Sequence, residues 1–259
     1  AGVWASQLKV TAGRNVVDAA HDVVAAKTAD GSVSPGIAID VAALGGMYAN
    51  KIHLMGTETG VGVHNAGHIG ASAGDVVVNA DGSISNSGYI TAINNVQLTT
   101  GDHLDNQGHL YALANTTVSS RGTLTNRGVI AAQNNTTVSA AGIHSNKTSV
   151  FAAGMGSDGA LAAAGDLSLT SQGKLTFNGK NSAAGRLTAQ GAVLDFSDSQ
   201  TYGNNLSLQA TTGDISTSGA TLSASQQFTA RTSGTLNNND GKISAGQLTI
   251  NADKLSNRN

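Results

Sequence analysis

The stretch "HLDNQGHLYALANTTVSSRG", residues 103–122, is followed without a gap by the closely similar "TLTNRGVIAAQNNTTVSAAG", residues 123–142. Aligned with each other, the two stretches keep the same kind of residue at some positions and change it at others. Repeats of about 20 to 50 residues are typical of solenoid proteins, in which each repeat packs only against its neighbours. The spacing of the retained positions therefore decides the fold.

Several positions recur at a step of twenty residues, and within each repeat apolar residues alternate with polar ones. Such alternation is typical of β-strands, because successive side chains point to opposite faces. The recurring sets are Asn86, Asn106, Asn126 and Asn146; Ile84, Leu104 and Leu124, with His144 in the fourth place; Ile90, Leu110, Ile130 and Val150; and Val78, Leu98, Val118 and Val138.

Three short strands in each twenty residues, separated by Gly or Asn turns, predict one coil of a right-handed parallel β-helix, an all-β solenoid. Successive coils would pair at about 4.8 Å, so about ten coils after residue 60 would give a rod of roughly 50 Å. The retained residues should point inward or shape the turns, whereas residues that vary, such as Asp105 and Gln107, should point outward.

The repeated asparagine is the most informative of the retained residues. On an inward strand end its amide would bond to the amides of the coils above and below. The alternative is that each Asn merely tolerates a left-handed turn. The predicted structural ladder comprises Asn86, Asn106, Asn126, Asn146, Leu104, Leu124, Ile90, Leu110 and Ile130; further along, Phe177 and Phe196 are predicted to take the Asn place, and Asn238 and Asn257 to restore it.

The repeat is interrupted at two places. Between Val138 and Leu169 the chain has eleven residues more than one coil needs, and we assign the surplus to a loop at 154–165. Near the start, one plausible coil, "LKVTAGRNV", is followed by an excursion, "VVDAAHDVVAAKTADGSVSPG", that has no repeat partner. We therefore divide the chain into residues 1–60, a first coil with an excursion, and residues 61–259, the repeat β-helix.

Composition argues against several classes of function. The formal net charge of the 259 residues is −2, without a run of basic residues, which argues against binding to nucleic acid or to an anionic membrane surface. The chain has no Cys and therefore no thiolate metal site, and no apolar run is long enough to span a membrane.

We find no pattern that predicts catalysis. The acidic residues are scattered; Asp195 and Asp198 form the closest pair, and a solvated turn is the favoured interpretation. His68, Tyr89 and His109 should form one outward column, but its two histidines would be about 9.6 Å apart, too far for one metal ion. We interpret this column as a surface aromatic stack, and we expect no catalytic residue, metal or cofactor.

The stretch "DVAALGGMYANKIHLMGTETGVGVHNAG", residues 40–67, resembles the junction between secretion domain and shaft in filamentous haemagglutinins and the CdiA effectors of contact-dependent growth inhibition. "LKVTAGRN" fits the same region, and the units of pattern L-x-N-x-G-x-I resemble haemagglutinin repeats. The resemblance implies that residues 1–60 follow a secretion domain lying N-terminal to this chain.

The same resemblance implies a function and a location. The chain would be a shaft segment of a secreted bacterial surface exoprotein, exported through an outer-membrane β-barrel transporter and extending a distal receptor-binding or toxin domain from the cell. The alternative is an adhesin whose own β-helix surface binds receptors. Neither nucleic-acid binding nor membrane insertion is expected.

Overall fold

The computed structural model describes residues 2–20, 22–27, 31, 33, 35–162 and 164–258. These residues form strands and turns without any helix. The strands stack in parallel into a solenoid of about ten coils, so the predicted parallel β-helix is confirmed. In a typical coil the chain forms three strands in succession, and each strand belongs to a different face of the solenoid.

Face 1 is an eleven-stranded parallel sheet among the described residues. Its register follows the repeat, since Leu104 pairs with Ile84 of the preceding coil and with Leu124 of the following one. Its strands are Ile37–Val41, Gly62–Asn65, Ile84–Asn86, Leu104–Asn106, Thr123–Asn126, Gly142–Ser145, Lys174–Thr176, Val193–Asp195, Ile215–Ser216, Thr235–Asn237 and Lys254–Ser256.

Faces 2 and 3 are joined into one sheet, because some strands run unbroken around the corner between them. These long strands are Val3–Ala12, Gly46–Gly56, Gln200–Ala210, Thr221–Arg231 and Lys242–Asn251. The short strands of face 2 are His68–Ala71, Tyr89–Ala92, His109–Ala112, Val129–Ala132, Val150–Ala153 and Lys180–Ala183. Those of face 3 are Val76–Ala80, Val96–Thr100, Thr116–Ser120, Thr136–Ala140, Leu167–Ser171 and Arg186–Gly191.

The core is one continuous column of inward side chains between the three faces. Strand alternation produces it: in Val96–Thr100 the first, third and fifth side chains are buried and the second and fourth exposed. Burying a Val, Leu or Ile side chain contributes about 1.5–3 kcal/mol relative to leaving it exposed. Because a single coil cannot bury its inner side chains, this stabilisation depends on stacking.

The coil after residue 140 departs from the twenty-residue step. Leu124 pairs with Ile143, whereas Ile130 pairs with Phe151. The turn before this coil's face-1 strand is one residue shorter, and the turn after that strand is two residues longer. The predicted places of His144 and Val150 in the inward series are therefore wrong: His144 is exposed and Val150 points outward, half-buried.

Two segments leave the solenoid. The excursion forms a hairpin, in which Asn15–Val17 pairs antiparallel with Val23–Ala26; its His21, Thr28, Ala29, Asp30, Ser32 and Ser34 lie outside the described residues. The segment 154–165, predicted as a loop, connects strands Val150–Ala153 and Leu167–Ser171; its Ala163 lies outside the described residues. The Tyr111 hydroxyl donates to the carbonyl oxygen of Met155, 3.0 Å away, and ties this loop to face 2.

The proposed division at residue 60 has no counterpart in strand pairing. Strand Gly46–Gly56 pairs in register with His68–Ala71 on face 2 and with Val76–Ala80 on face 3. The stack of coils therefore passes residue 60 without a break, and the division stays a prediction.

Candidate functional site

Four asparagines form a hydrogen-bonded column inside face 1, which we call the asparagine ladder: Asn65, Asn86, Asn106 and Asn126. The Nδ2 of each donates to the Oδ1 of the next at 2.8 Å. All four side chains are buried, and none has the positive φ of a left-handed turn. Buried amides are costly only when unpaired, so this ladder lets the core carry a polar column.

The turn after each ladder asparagine requires glycine for steric reasons. A Cβ on Gly108 would lie 2.0 Å from the carbonyl oxygen of Gly88, and Gly128 meets Gly108 at the same distance. The Asn106 amide also donates to the Gly108 carbonyl oxygen, at 3.2 Å. In each recurring Asn-x-Gly, the asparagine amide therefore fixes the turn by its hydrogen bond, and the glycine allows the turns of successive coils to approach each other.

The prediction that Asn146 belongs to this ladder is wrong. Asn126 pairs with Ser145, and Asn146 is exposed. Asn146 begins the lengthened turn, where its Oδ1 accepts hydrogen bonds from the backbone N–H and the hydroxyl of Thr148. The Asn126 amide instead donates to the carbonyl oxygen of Val150, 3.2 Å away, which ends the ladder.

The remaining members of the predicted structural ladder lie in the core. Leu104 and Leu124 pair on face 1, and Ile90, Leu110 and Ile130 pair on face 2. All five are at most 1% exposed.

Downstream of Ser145 the Asn place is taken by register first by two phenylalanines, then by Thr217, and then again by asparagines. Phe177 and Phe196 are buried in adjacent coils, with ring centroids 5.4 Å apart. The Nδ2 of Asn238 donates to the Oδ1 of Asn257, 2.9 Å away. Aromatic contacts thus occupy part of the column where the amide ladder is interrupted, and the Thr217 hydroxyl donates to the Oδ1 of Asn238, 2.8 Å away, where the asparagines resume.

A second polar ladder, at the outer corner before face 3, was not predicted from the sequence. Each member accepts a hydrogen bond from a backbone N–H of the next coil, at 2.7–3.2 Å. Its members are Asp75, Asn95, Asn115, Asn135 and Asp166. Its asparagines recur at a step of twenty residues, and this spacing could have revealed the ladder in the sequence. This ladder satisfies backbone donors at a turn, where strand pairing cannot.

An aromatic row runs along the outside of face 2: Trp4, Tyr48, His68, Tyr89 and His109. The pairing of Tyr89 with His68 and His109 confirms the predicted column, and the structure extends it by Tyr48 and Trp4. Neighbouring ring centroids are 4.8–6.0 Å apart. The pairs at both ends are stacked, whereas His68 meets both neighbours edge-on. Trp4 is 71% and Tyr89 53% exposed.

Burial lowers the pKa of the His68 imidazole below its ordinary value of 6.5. Its Nε2 lies 3.0 Å from the hydroxyl oxygen of Thr91, one coil further along. His68 is therefore predominantly neutral at pH 7.

Asp195 and Asp198 each pair with a lysine and not with each other. Asp195 lies 2.9 Å from Lys174, and Asp198 lies 2.9 Å from Lys147. Burial alone would raise the pKa of Asp195, but hydrogen bonds from Lys174 and Ser197 lower it overall. The Asp195 carboxylate is thus held ionised, and both aspartates lie in surface ion pairs.

Within the part of the chain that the structure describes, no three His, Cys, Asp or Glu side chains are grouped so that they could hold a metal ion. The described residues also contain no helix that is both long and apolar enough to cross a membrane.

Comparison with known families accounts for most of the chain. The model of the haemagglutinin repeat matches residues 112–179, 151–201 and 201–259, and the model of the TPS (two-partner-secretion) secretion domain matches residues 1–86. The chain belongs to the haemagglutinin-repeat family of two-partner-secretion exoproteins. It is thus a segment of a secreted protein displayed on the outer cell surface. No solved structure gives a significant match.

Curated relatives agree with this assignment. The chain is 46% identical over 257 residues to a protein named Toxin CdiA of Yersinia pestis, covering 99% of this chain and 8% of that protein. It is 49% identical over 247 residues to a tRNA nuclease CdiA-2 of Burkholderia pseudomallei, covering 95% and 8%. The chain therefore spans less than a tenth of the length of these relatives.

The secretion-domain match corrects one expectation. The resemblance placed the secretion domain N-terminal to this chain, yet its family model matches residues 1–86. The secretion-domain match therefore lies within this chain and includes the aromatic row as far as His68. Because its strands stack in register with the repeats, strand periodicity does not separate the two.

Proposed function

We propose that this chain is the base of a β-helical shaft that extends a distal receptor-binding or toxin domain from the bacterial surface. The supporting observation is the continuous parallel pairing of strands from Val3–Ala12 to Lys242–Asn251, across the secretion-domain match and the repeats. About ten coils at about 4.8 Å give roughly 50 Å of reach.

The partners follow from this role. The secretion-domain match supports an outer-membrane β-barrel transporter as the export partner, and a target-cell receptor would be bound by a distal domain. The chain itself would have no catalytic role. The ion pair of Asp195 with Lys174 supports this, because a carboxylate held ionised by a lysine is a poor general acid, and Asp198 lies in a separate ion pair with Lys147.

Deleting one coil from the full-length protein tests the shaft role. Removal of residues 107–126 joins Asn106 to Arg127, whose backbone N–H occupies the same place in its coil as that of Gln107. Stacking is restored at the seam, so we expect surface display and delivery or adhesion close to those of the parent. Removal of residues 107–116 leaves half a coil and serves as the matched control, for which we expect loss of display.

The shaft role is refuted if the whole-coil variant reaches the cell surface in parental amounts but no longer delivers or adheres. The removed coil would then be a binding surface, as in the alternative of an adhesive β-helix.

A further inference from the structure

The distribution of aromatic residues between core and surface is uneven. All four phenylalanines are fully buried, while Trp4 and three of the four tyrosines, Tyr48, Tyr89 and Tyr111, project from face 2 in the first few coils. Exposed aromatic patches on secreted domains mark interaction sites, and Trp and Tyr combine an apolar body with a hydrogen-bonding group.

Beside the aromatic row lies a groove of about 440 Å³. Gly70 forms its floor, the rings of Tyr48 and His68 one wall, and Ile93, 50% exposed, part of the other. The groove exists because Gly70 interrupts a column of side chains: Thr91 and Tyr111 follow it in the next two coils. A Cβ at Gly70 would touch only the ends of the His68 and Thr91 side chains, at 3.2 Å or more.

The groove is uncharged but has hydrogen-bonding groups along its rim. Among the residues that the structure describes, no Lys, Arg, Asp or Glu lines it. His68 and Thr91 form one polar pair, and the Ser72 hydroxyl donates to the Oδ1 of Asn50, 3.1 Å away, in another. Aromatic walls with a few placed polar groups are typical of ligand sites, and the lack of charge selects a neutral ligand.

The backbone around the groove argues against an extended peptide. Strand His68–Ala71 is paired on one side with Gly46–Gly56 and on the other with Tyr89–Ala92. Peptides that bind to sheets gain affinity by pairing with a free strand edge, and strand His68–Ala71, which carries the groove floor, has none. A sugar chain needs no such edge, because its apolar ring faces pack on aromatic rings and its hydroxyl groups bond to side chains.

We propose that this groove binds a neutral polysaccharide chain lying along the solenoid axis. The row beside the groove spans five coils, about 19 Å at the ordinary strand spacing, so it accommodates several sugar units in line. This binding goes beyond the shaft role and does not depend on it. The residues that line the groove also lie outside residues 107–126, so the coil deletion leaves the groove intact and removes only His109 from the end of the row.

The test is a glycan array carrying neutral and acidic chains, followed by saturation-transfer NMR of the 259-residue chain with the neutral oligosaccharides that bind. Gly70→Val fills the groove floor without removing a ring or a core side chain, and Tyr48→Ala removes one wall. We expect each to weaken binding at least tenfold. Ser223→Val is the matched control, since Ser223 occupies the same outward column far from the groove, and it should bind like the parent.

Three results would overturn the proposal: no neutral glycan binds, acidic glycans bind in preference, or Gly70→Val binds as the parent does while its circular dichroism is unchanged. If sedimentation shows a dimer that Tyr48→Ala dissociates, the groove is occupied by a second copy of the chain, and the proposal is also wrong.

Discussion

Replacing Asn106 by leucine should lower the free energy of unfolding, and by about 1 kcal/mol more than Asn126→Leu does, since each hydrogen bond contributes about 1 kcal/mol net. Asn106 takes part in two bonds of the asparagine ladder: it accepts from Asn86 and donates to Asn126, both at 2.8 Å. Leucine can make neither bond. The Nδ2 of Asn86 keeps only a longer contact, 3.3 Å, with the carbonyl oxygen of Gly88.

Asn126→Leu is the matched comparison, because Asn126 ends the ladder and takes part in only one of its bonds. Both side chains are completely buried, so the leucines should gain similar hydrophobic stabilisation. That gain largely cancels when the two variants are compared with each other. The remaining difference, about 1 kcal/mol, is the contribution of one ladder bond.

Urea unfolding followed by far-ultraviolet circular dichroism measures all three proteins. Gln107→Leu serves as the surface control, since Gln107 is exposed, and should change the free energy of unfolding by less than about 0.5 kcal/mol. The reasoning is refuted if Asn106→Leu and Asn126→Leu lose the same stability, or if neither differs from the parent.

Further predictions concern the coil, the histidine and the loop. Deleting residues 107–126 from the isolated chain should shorten it by about 4.8 Å in X-ray scattering and preserve folding, whereas deleting 107–116 should leave it sensitive to protease; equal behaviour of the two contradicts whole-coil stacking. Because folding lowers the pKa of His68, the stabilisation present above pH 6.5 is lost as the pH falls below that value. The melting temperature should therefore drop from pH 7.5 to pH 5.5, and it should drop less in His68→Phe. An equal drop in both proteins would rule out His68 as a source of the pH dependence. Tyr111→Phe should speed hydrogen exchange in residues 154–162 at nearly unchanged global stability, and unaltered exchange would show that the bond to Met155 does not hold the loop.

The sequence predicted the solenoid well because one coil is a complete physical unit. Inward Leu104 and Leu124 and the twenty-residue step between them determine strand, face and register together. The prediction from the fixed step failed in the coil after residue 140, where a shorter turn precedes the face-1 strand and a longer turn follows it. Pairing keeps Ile143 and Phe151 inward, so Asn146, at the counted position, falls in the turn. Fixed spacing cannot detect two opposite length changes in one coil.

The aromatic row was predicted only in part, for a different reason. Tyr48 belongs to the column of Gly70 by register, two positions away from the column of His68. Its ring nevertheless reaches His68, because it lies over Gly46, where a Cβ would come within 2.5 Å of the ring. Where a glycine has no side chain, the ring of a neighbouring residue can occupy the space. The two-residue alternation of a strand does not reveal this.

The shaft and the groove place opposite demands on the coils. A shaft needs coils that can replace one another, so only inward and turn residues are constrained, and outward residues are free to vary. The groove needs one particular outward surface: Gly70 between Tyr48 and Thr91, next to His68. Further along the same column the outward residues are Ser182, Tyr202 and Ser223, which form no such row. Coils near the secretion-domain match are therefore specialised on the outside, while later coils are specialised only on the inside. Outward substitutions around Gly70 should accordingly impair function, whereas outward substitutions beyond residue 180 should be tolerated, although the core is equally well packed in both regions.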